Sequence, residues 1–497
     1  MQKANIIFWT VSVVGYLTTR TVNLDVIPIF TDEAIYSYWA QVALHDPANR
    51  FISLEDGKQP LFIWLAAIFQ KFISDPLIAT RLVSVMSGLG SIIGIFLLAK
   101  TLFGEKVAKT AMVLYIILPF TLLYDRLALF DSLLTMLGIY SVLFTVKLVT
   151  VPKLENSFLL GVSTGFAMIT KSSGNFFLYL IPASALLQGT WSKLKFNLKE
   201  IFRWAGYVLL AVAIANIIYN SLRLSPLFYI IARKNLGFIR PVAEVIIDPF
   251  SLFIPNFTTL TGWLIVWIGP VLFIIFILAT IRGILQKNFK VIYLAIVTLA
   301  PFGAETVFNK VLYPRFMLFY FPYVIILIAY GSLDLLEKLK INKKLLTLLF
   351  ILVLIYPTIN SFWLIAKPTN AKIPSSDAGQ YLNDWPAGYG VAEIVSFLKN
   401  QPTDVDIYIG TEGTFGLLPY ALQIYFFGQK NIHIIGFWPV NADDLPEQIL
   451  DLSKKGPTYF VFNENQKDIN SPKLKLIEKY QKGVGASYMR LYQVVPQ

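Results

Sequence analysis

The sequence contains no cysteine, only two histidines and few charged residues for its length. Without cysteine there is no disulfide and no thiolate-bound zinc, and two imidazoles are too few for a histidine-rich metal centre. Charged residues make up 14% of the 497 residues, whereas soluble proteins contain about 25%. These shortages exclude a soluble enzyme, a disordered chain and a fibrous repeat.

Hydrophobic residues are correspondingly abundant, at 56% of the chain. Apolar runs of about 20 residues are long enough to cross a bilayer, and their recurrence predicts about eleven transmembrane helices. The predicted fold class is therefore an all-α polytopic membrane protein followed by a small α/β domain. The expected spans lie at 6–24, 78–99, 106–123, 129–149, 157–170, 174–190, 201–220, 263–281, 291–308, 315–333 and 345–366.

The net charge of +12 is concentrated in alternate short loops, such as 100–109, 193–203 and 282–290. By the positive-inside rule these loops face the cytoplasm. The chain is then a multi-pass protein of the cell (plasma) membrane with a cytoplasmic N-terminus, and the first outer loop, residues 25–77, lies outside. The membrane topology accounts for the excess of basic over acidic residues, so no nucleic-acid partner is expected.

The composition changes after the last predicted span. Residues 1–366 form the predicted transmembrane domain, and residues 374–497 form an extracytoplasmic α/β domain with a parallel or mixed sheet. We expect strands at 406–410, 432–436, 458–462 and 489–495, and helices at 391–400, 417–427, 445–454 and 473–480. The glycine-rich segment 411–416 is interpreted as a turn between a strand and a helix.

An acidic pair in the first outer loop, Asp32 and Glu33, is the first candidate site. Thr31 or Asp32 can cap a helix there. Two interpretations remain open: the carboxylates take a proton from an acceptor hydroxyl or hold a divalent cation, or they only stabilise the first helical turn. Lys58 follows, just before a short apolar helix whose N-terminus also favours an anion.

Other ionisable residues lie at the outer ends of predicted spans. Asp131 enters an apolar helix, where a carboxylate is costly and usually functional or paired, and Arg126 is a candidate partner. Lys171 and Arg315 either contact a ligand or reach the interface. Taken together, carboxylates and cations at one membrane face suit an enzyme that holds a lipid-linked phosphate and activates a nucleophile.

Several of these segments, in this order, resemble the GT-C membrane glycosyltransferases over about residues 5–335. The nearest branch is glycosyltransferase family 39, the dolichyl-phosphate-mannose–protein mannosyltransferases, with the lipid A aminoarabinose transferases as a sister group. The segments that carry the resemblance are Thr31-Asp32-Glu33-Ala-Ile-Tyr36, Gly57-Lys58-Gln-Pro60, Arg126-Leu-Ala-Leu-Phe-Asp131-Ser-Leu-Leu, Gly165-Phe-Ala-Met-Ile-Thr-Lys171 and Tyr313-Pro-Arg315-Phe.

The resemblance implies a helical bundle with interfacial helices in the first outer loop. It also implies transfer of a sugar, such as mannose, from a polyprenyl-phosphate sugar to an acceptor, with inversion at the anomeric carbon. It assigns Asp32 as general base with Glu33 beside it, and Asp131 as a second acidic residue near the acceptor or a metal. It assigns binding of the donor phosphate to four cationic residues, Lys58, Arg126, Lys171 and Arg315.

Alternatives remain at this point. The acceptor is a protein hydroxyl, as in protein glycosylation, or a lipid or cell-wall glycan; the α/β domain replaces the β-trefoil of eukaryotic protein mannosyltransferases. A lipid-linked sugar flippase needs a polar path through the bilayer midplane, and a scaffold without turnover is a third hypothesis. Asp32, Glu33 and Asp131 are possible ligands for Mg²⁺, Mn²⁺ or Ca²⁺. No nucleotide fingerprint is found, so no nucleotide cofactor is expected.

Overall fold

A computed structural model describes residues 2–188, 198–338, 343–440, 445–464, 469 and 471–496. Lys193, Lys195 and Lys340 of the predicted cytoplasmic loops lie outside these residues. The helices and strands, in chain order, are α1 (Gln2–Thr21), α2 (Thr31–His45), α3 (Leu61–Gln70), α4 (Pro76–Phe103), α5 (Glu105–Ile117), α6 (Pro119–Asp125), α7 (Phe130–Thr150), α8 (Leu154–Met168), α9 (Asn175–Tyr179), α10 (Leu198–Asn220), α11 (Tyr229–Phe238), α12 (Val242–Ile247), α13 (Phe253–Ile268), α14 (Pro270–Leu285), α15 (Phe289–Phe308), α16 (Phe321–Lys338), α17 (Lys343–Ala366), α18 (Ser375–Ala378), α19 (Val391–Lys399), β1 (Ile407–Glu412), α20 (Leu417–Phe426), β2 (Ile432–Phe437), α21 (Glu447–Ser453), β3 (Thr458–Phe462), β4 (Leu474–Gln481) and β5 (Tyr488–Val494).

The chain divides into two compact units, which we call the helical unit and the α/β unit. The helical unit consists of residues 1–22, 51–62 and 83–364. The α/β unit consists of residues 23–50, 63–82 and 365–497. Two pieces of the first outer loop are therefore grouped with the C-terminal residues rather than with the bundle of long helices.

Within the described residues, five helices are long and apolar enough to cross a membrane, and the number rises to seven if each of two bent helix pairs is one span. The count of about eleven is not confirmed. The predicted span at 157–170 corresponds to the 15-residue α8. The predicted span at 174–190 contains the five-residue α9 and a 3₁₀ segment, which are short for a bilayer crossing.

Both bent pairs break at a proline that follows a non-helical residue. Helices α5 and α6 meet at 63° and α13 and α14 at 115°. Pro119 and Pro270 occupy the first position of the second helix, where a missing N–H is tolerated because that position has no intrahelical acceptor. At the sharper bend, Gly269 has a φ of +83°, a conformation that favours glycine.

The α/β unit contains one five-stranded mixed sheet in the order β2-β1-β3-β5-β4. Strand β1 pairs in parallel with β2 and β3, and β5 pairs antiparallel with β3 and β4. This confirms the predicted α/β architecture and the positions of four strands. The carboxyl ends of the three parallel strands share one edge of the sheet, where open α/β sheets usually bind ligands.

One predicted element is wrong. Residues 473–480 were expected to be helical because Lys, Leu and Glu favour helix, but they form β4. Its strand pairing with β5 outweighs the local preference, as tertiary contacts commonly do. Five of its eight residues are exposed in this edge strand, and its lysines are typical of edges that avoid further strand pairing.

The core of the α/β unit includes residues from the first outer loop. Ile29, Ala34 and Leu77 are buried in the same apolar cluster as Ile394 and Leu422. Burial of large aliphatic side chains contributes about 1.5–3 kcal/mol each, so α2 is part of this core rather than a separate surface helix. The start of α2, which carries the predicted acidic pair, is thus positioned by the α/β unit.

Candidate active site

Helix α2 begins one residue earlier than a Thr31 or Asp32 cap requires. The residue that precedes the helix is Phe30, with extended backbone angles. The Glu33 carboxylate accepts a hydrogen bond from the Phe30 N–H at 3.0 Å, which satisfies a donor at the helix start. Asp32 is partly buried in the first turn, where the helix dipole favours its negative charge.

Glu33 forms a buried ion pair with Arg81 of α4, and neither side chain is exposed. Arg81 Nε and Nη2 donate to the two carboxylate oxygens at 2.8 and 2.7 Å. The same guanidinium donates to the backbone carbonyls of Leu24, Ile27 and Pro28. In this geometry Glu33 and Arg81 hold the first outer loop to the start of α4, and the assignment of Glu33 beside the general base stays a prediction.

Sequence analysis did not single out Arg81. The sequence does indicate that Arg81 is unusual, because burying a guanidinium inside the predicted span 78–99 costs free energy unless the charge has a partner. The identity of that partner could not be read from the sequence, since Glu33 and Arg81 are 48 residues apart.

A short segment of the α/β unit, Trp385 to Gly388, holds the N-terminus of α2. The Thr31 N–H and hydroxyl both donate to the Pro386 carbonyl, each at 3.1 Å, and Phe30 forms an antiparallel bridge with Ala387. A Cβ on Gly388 would lie 2.4 Å from the Ile29 carbonyl oxygen, so only glycine fits there. This segment fixes the direction in which Asp32 enters the helix.

The other end of α2 packs on α20. The Tyr38 and Tyr420 rings are stacked at 4.5 Å, and the Gln41 side-chain amide donates to the Ile424 carbonyl at 2.8 Å. Contacts at both ends therefore fix α2 within the α/β unit.

A buried lysine, Lys482, forms a hydrogen bond with the 385–388 segment. Lys482 Nζ donates to the Trp385 carbonyl at 2.7 Å and to the Asn463 side chain. Glu412 accepts the N–H groups of Asn463 and Glu464 at 2.8 and 2.7 Å. Burial lowers the pKa of Lys482 to about 7, although the carboxylates of Glu464 and Glu412 act in the opposite direction.

In the helical unit, Asp131 pairs with Lys171 rather than with Arg126. The Lys171 ammonium lies 2.7 Å from the Asp131 carboxylate, and the two side chains are 25% and 6% exposed. The same ammonium lies 4.5 Å from the centre of the Phe316 ring, next to Arg315. The structure thus brings together two predicted site residues, Asp131 and Lys171, and places Lys171 against the residue that follows Arg315.

Arg126 contributes to the end of α1. Its Nη1 donates to the carbonyls of Thr19 and Val22 at 2.9 and 2.8 Å, so it satisfies backbone acceptors at a helix C-terminus. Its assignment to donor phosphate stays a prediction.

Lys58 lies beside the Lys171 segment. Its ammonium is 5.2 Å from the centre of the Phe238 ring. The next residue, Gln59, donates to the Ser172 hydroxyl at 2.8 Å, which joins the Lys58 turn to the turn that follows Lys171. Two candidate phosphate ligands therefore belong to adjacent segments of one unit.

Glu305 in the last turn of α15 is a further buried carboxylate that sequence analysis missed. It accepts a hydrogen bond from the Tyr320 hydroxyl at 2.8 Å and is 5% exposed. It also interacts electrostatically with Lys171 and Asp131. An acidic residue inside the apolar run 291–308 was the available signal, because intramembrane carboxylates are usually functional or paired.

The proposed metal ligands do not form a cation site within the described part of the chain, where no group of three or more His, Asp or Glu side chains could hold a metal ion. Glu33 is engaged with Arg81, and Asp131 with Lys171. Asp32 and Glu33 belong to the α/β unit and Asp131 to the helical unit. A divalent cation therefore stays a prediction, and we derive no step through a metal.

We predict that Glu33→Gln destabilises the protein by about 3–5 kcal/mol, because it leaves the Arg81 charge buried without a counter-ion. Thermal unfolding of the purified chain in detergent measures the change. Glu105→Gln is the matched control, since its pair with Lys109 is exposed to solvent and exposed ion pairs contribute little to stability. Equal stability of Glu33→Gln and the wild type would contradict a structural role for the pair.

The low pKa of Lys482, about 7 against an ordinary value of 10.5, predicts a pH-dependent stability. Between these values the unfolded chain binds more protons, so stability rises with pH from about 7 towards 10.5 and is lowest below 7. The slope is at most about 1.4 kcal/mol per pH unit.

Thermal unfolding of Lys482→Met between pH 6 and 10 tests this prediction, and the slope is expected to flatten. Lys475→Met, which removes an exposed lysine of β4, is the control and should retain the wild-type slope. A Lys482→Met variant with an unchanged slope would assign the pH dependence to other groups.

Comparisons with known proteins agree with the resemblance inferred from the motifs. The sequence model of the dolichyl-phosphate-mannose-protein mannosyltransferase family matches residues 57–219. No curated protein matches the chain.

Two solved folds are similar along most of the chain. ArnT from Cupriavidus metallidurans is 13% identical; its apo structure gives a TM-score of 0.60, covering 100% of this chain and 99% of that one. Its complex with undecaprenyl phosphate gives a TM-score of 0.57 with full coverage of both chains. The archaeal oligosaccharyltransferase AglB from Archaeoglobus fulgidus, in complex with an inhibitory peptide and a dolichol-phosphate, is 11% identical with a TM-score of 0.52, covering 92% and 69%.

At these identities the structural similarity establishes the fold alone. Together with the matched segment 57–219, which contains Lys58, Arg126, Asp131 and Lys171, it confirms the resemblance: this chain has the fold of the GT-C membrane glycosyltransferases and resembles that group in sequence.

Proposed function

We propose that this protein is an integral-membrane glycosyltransferase that moves a sugar from a polyprenyl-phosphate sugar to an acceptor hydroxyl, with inversion at the anomeric carbon. The observation that carries the proposal is the Asp131–Lys171 ion pair beside the Arg315 segment, in a chain with a GT-C fold. Paired charges at the ends of apolar helices are costly to maintain and are commonly functional.

A polyprenyl-phosphate donor is supported by charge and by the similar structures. Lys58, Lys171 and Arg315 are cations of one unit, and ammonium and guanidinium groups form strong, charge-assisted hydrogen bonds with phosphate. The complexes of ArnT and AglB contain undecaprenyl phosphate and dolichol-phosphate, respectively. The same class of lipid phosphate is the donor carrier that we propose here.

We assign Asp32 as the general base. It lies partly buried in the first turn of α2, held from both sides by the α/β unit. Its carboxylate would accept the proton of the acceptor hydroxyl while that oxygen attacks the anomeric carbon. The bond between the anomeric carbon and the phosphate oxygen breaks, and the phosphate leaves with the bonding electrons. Cations stabilise this developing charge.

The proposal leaves two alternatives for the sugar and the acceptor. The family description favours mannose transferred to protein, whereas the resemblance to the lipid A aminoarabinose transferases favours another sugar and a lipid or glycan acceptor. Isotopically labelled donor followed by product analysis distinguishes these acceptors. A divalent cation stays a prediction, as do the outward orientation of the α/β unit and the meeting of Asp32 and Asp131 in one pocket.

We predict that Asp32→Asn lowers sugar transfer by about 10²–10⁴-fold, because an amide cannot accept the hydroxyl proton. Binding of undecaprenyl phosphate and thermal stability should be retained. The measurement is transfer from a radiolabelled polyprenyl-phosphate sugar in a membrane preparation. Asp46→Asn, at the other end of α2, is the matched control and should remain active. Full activity of Asp32→Asn would remove Asp32 from the mechanism.

We predict that Lys171→Met weakens binding of undecaprenyl phosphate by at least about tenfold, because a hydrogen bond between charged groups contributes about 1.5–3 kcal/mol. Fluorescence titration of the purified protein measures the affinity. Lys147→Met removes a cation from the predicted cytoplasmic side and should have no effect. The double variant Asp131→Asn/Lys171→Met removes the buried charge left by the single change. If it binds the lipid as tightly as the wild type, Lys171 is not a phosphate ligand.

A further inference from the structure

Two large aromatic side chains of the α/β unit remain exposed beside the start of α2. Trp385 is 46% and Phe415 is 51% exposed. Exposed aromatic rings close to a candidate reactive group are informative, since rings of this size dominate binding energy wherever they are covered by a ligand. The mechanism proposed above uses neither of them.

Trp385 and Phe415 each precede a residue that lies against Thr31, the residue before Asp32. Trp385 is followed directly by Pro386, whose carbonyl accepts both hydrogen bonds from Thr31. Phe415 is followed by Gly416, where a Cβ would lie 3.7 Å from the Thr31 methyl group. The segments that carry Trp385 and Phe415 therefore both reach Thr31 at the N-terminus of α2.

Phe415 also lies along the face of α2 that carries Asp32. Its ring is 6.2 Å from that of Trp39, and the Trp39 ring is 5.8 Å from that of Tyr36. Residues four and seven positions after Asp32 share its side of a helix. A molecule resting on Phe415 is thus on the same side of α2 as the Asp32 carboxylate.

The loop that carries Phe415 lies at the edge of the sheet where open α/β sheets usually bind ligands. The loop from Gly413 to Gly416 leaves the carboxyl end of β1, between two parallel neighbours that lie on opposite sides of it. Gly413 and Gly416 have φ values of +112° and +134°, conformations that favour glycine. Open α/β sheets bind their ligands outside the carboxyl ends of the strands, at the point where the strand order reverses.

We infer that Trp385 and Phe415 form the acceptor site and that the acceptor is a saccharide, whose pyranose ring rests on these aromatic faces. A pyranose has an apolar face of C–H groups and a rim of hydroxyls, so an aromatic ring covers the first and leaves the second free. A hydroxyl of that rim is then available to Asp32. A serine or threonine side chain of a protein has no comparable apolar face. The inference rests on the proposed function and specifies its acceptor class.

Binding of saccharides to the purified full-length protein tests the inference without any sugar transfer. The probes are mannotriose and chitotriose, followed by saturation-transfer NMR in a detergent that contains no sugar. A threonine-rich peptide of similar mass tests the protein-acceptor alternative. We expect saturation of the C–H protons of at least one trisaccharide and none of the peptide.

Three variants make the test specific. Trp385→Ala and Phe415→Ala should each weaken trisaccharide binding by about 2- to 10-fold, the range that aromatic packing contributes, and Phe415→Tyr should restore it. Phe72→Ala is the matched control: Phe72 is an aromatic residue of the same unit, next to the end of α3 and 78% exposed, and the variant should bind as the wild type does. Thermal unfolding checks that each variant is folded.

Several outcomes would overturn the inference. These are no saturation of either trisaccharide, saturation of the peptide alone, or equal losses in the Phe72 control. A fourth is unchanged saccharide binding with reduced partition of the alanine variants into lipid vesicles, which would identify the two rings as interfacial membrane anchors. Binding of undecaprenyl phosphate is measured in parallel to distinguish the two proposals. If the wild-type protein does not bind this lipid, the proposed donor is wrong, whereas the proposed acceptor site is not affected.

Discussion

The buried ion pair between Glu33 and Arg81 is the interaction on which the position of the proposed base depends. A guanidinium without exposure to water requires a counter-ion and several further acceptors, and Arg81 finds them in one carboxylate and three backbone carbonyls of residues 24–28. The chain before α2 and the first turn of α2 are thereby fixed to the start of α4. The adjacent Asp32 gains a defined direction from the pairing of its neighbour Glu33 with Arg81.

The α/β unit consequently has a function beyond that of an appended domain. Its core includes Ile29 and Ala34, and its 385–388 segment binds the N-terminus of α2. Lys482 supports that segment through the Trp385 carbonyl. The first turn of α2, which carries Asp32, is therefore held by hydrogen bonds and packing contacts with the C-terminal residues.

Much of the candidate site could be predicted from residue type and local context. Asp131 and Lys171 stood out because charged side chains at the ends of apolar runs are rare, and the structure pairs them directly. Glu305 and Arg81 carried the same signal. The helix expected at residues 473–480 was wrong because its composition reflects local propensity, whereas its conformation follows from pairing with β5.

The sequence by itself determined that this is a multi-span membrane chain with a C-terminal α/β region, because hydropathy and periodicity are local properties of the backbone and its side chains. It also determined which charged residues were worth attention. Only the tertiary structure decided their partners: Glu33 meets Arg81 across 48 positions, and Thr31 meets Pro386 across 355. Contacts at such separations depend on how whole elements pack, which no local pattern encodes.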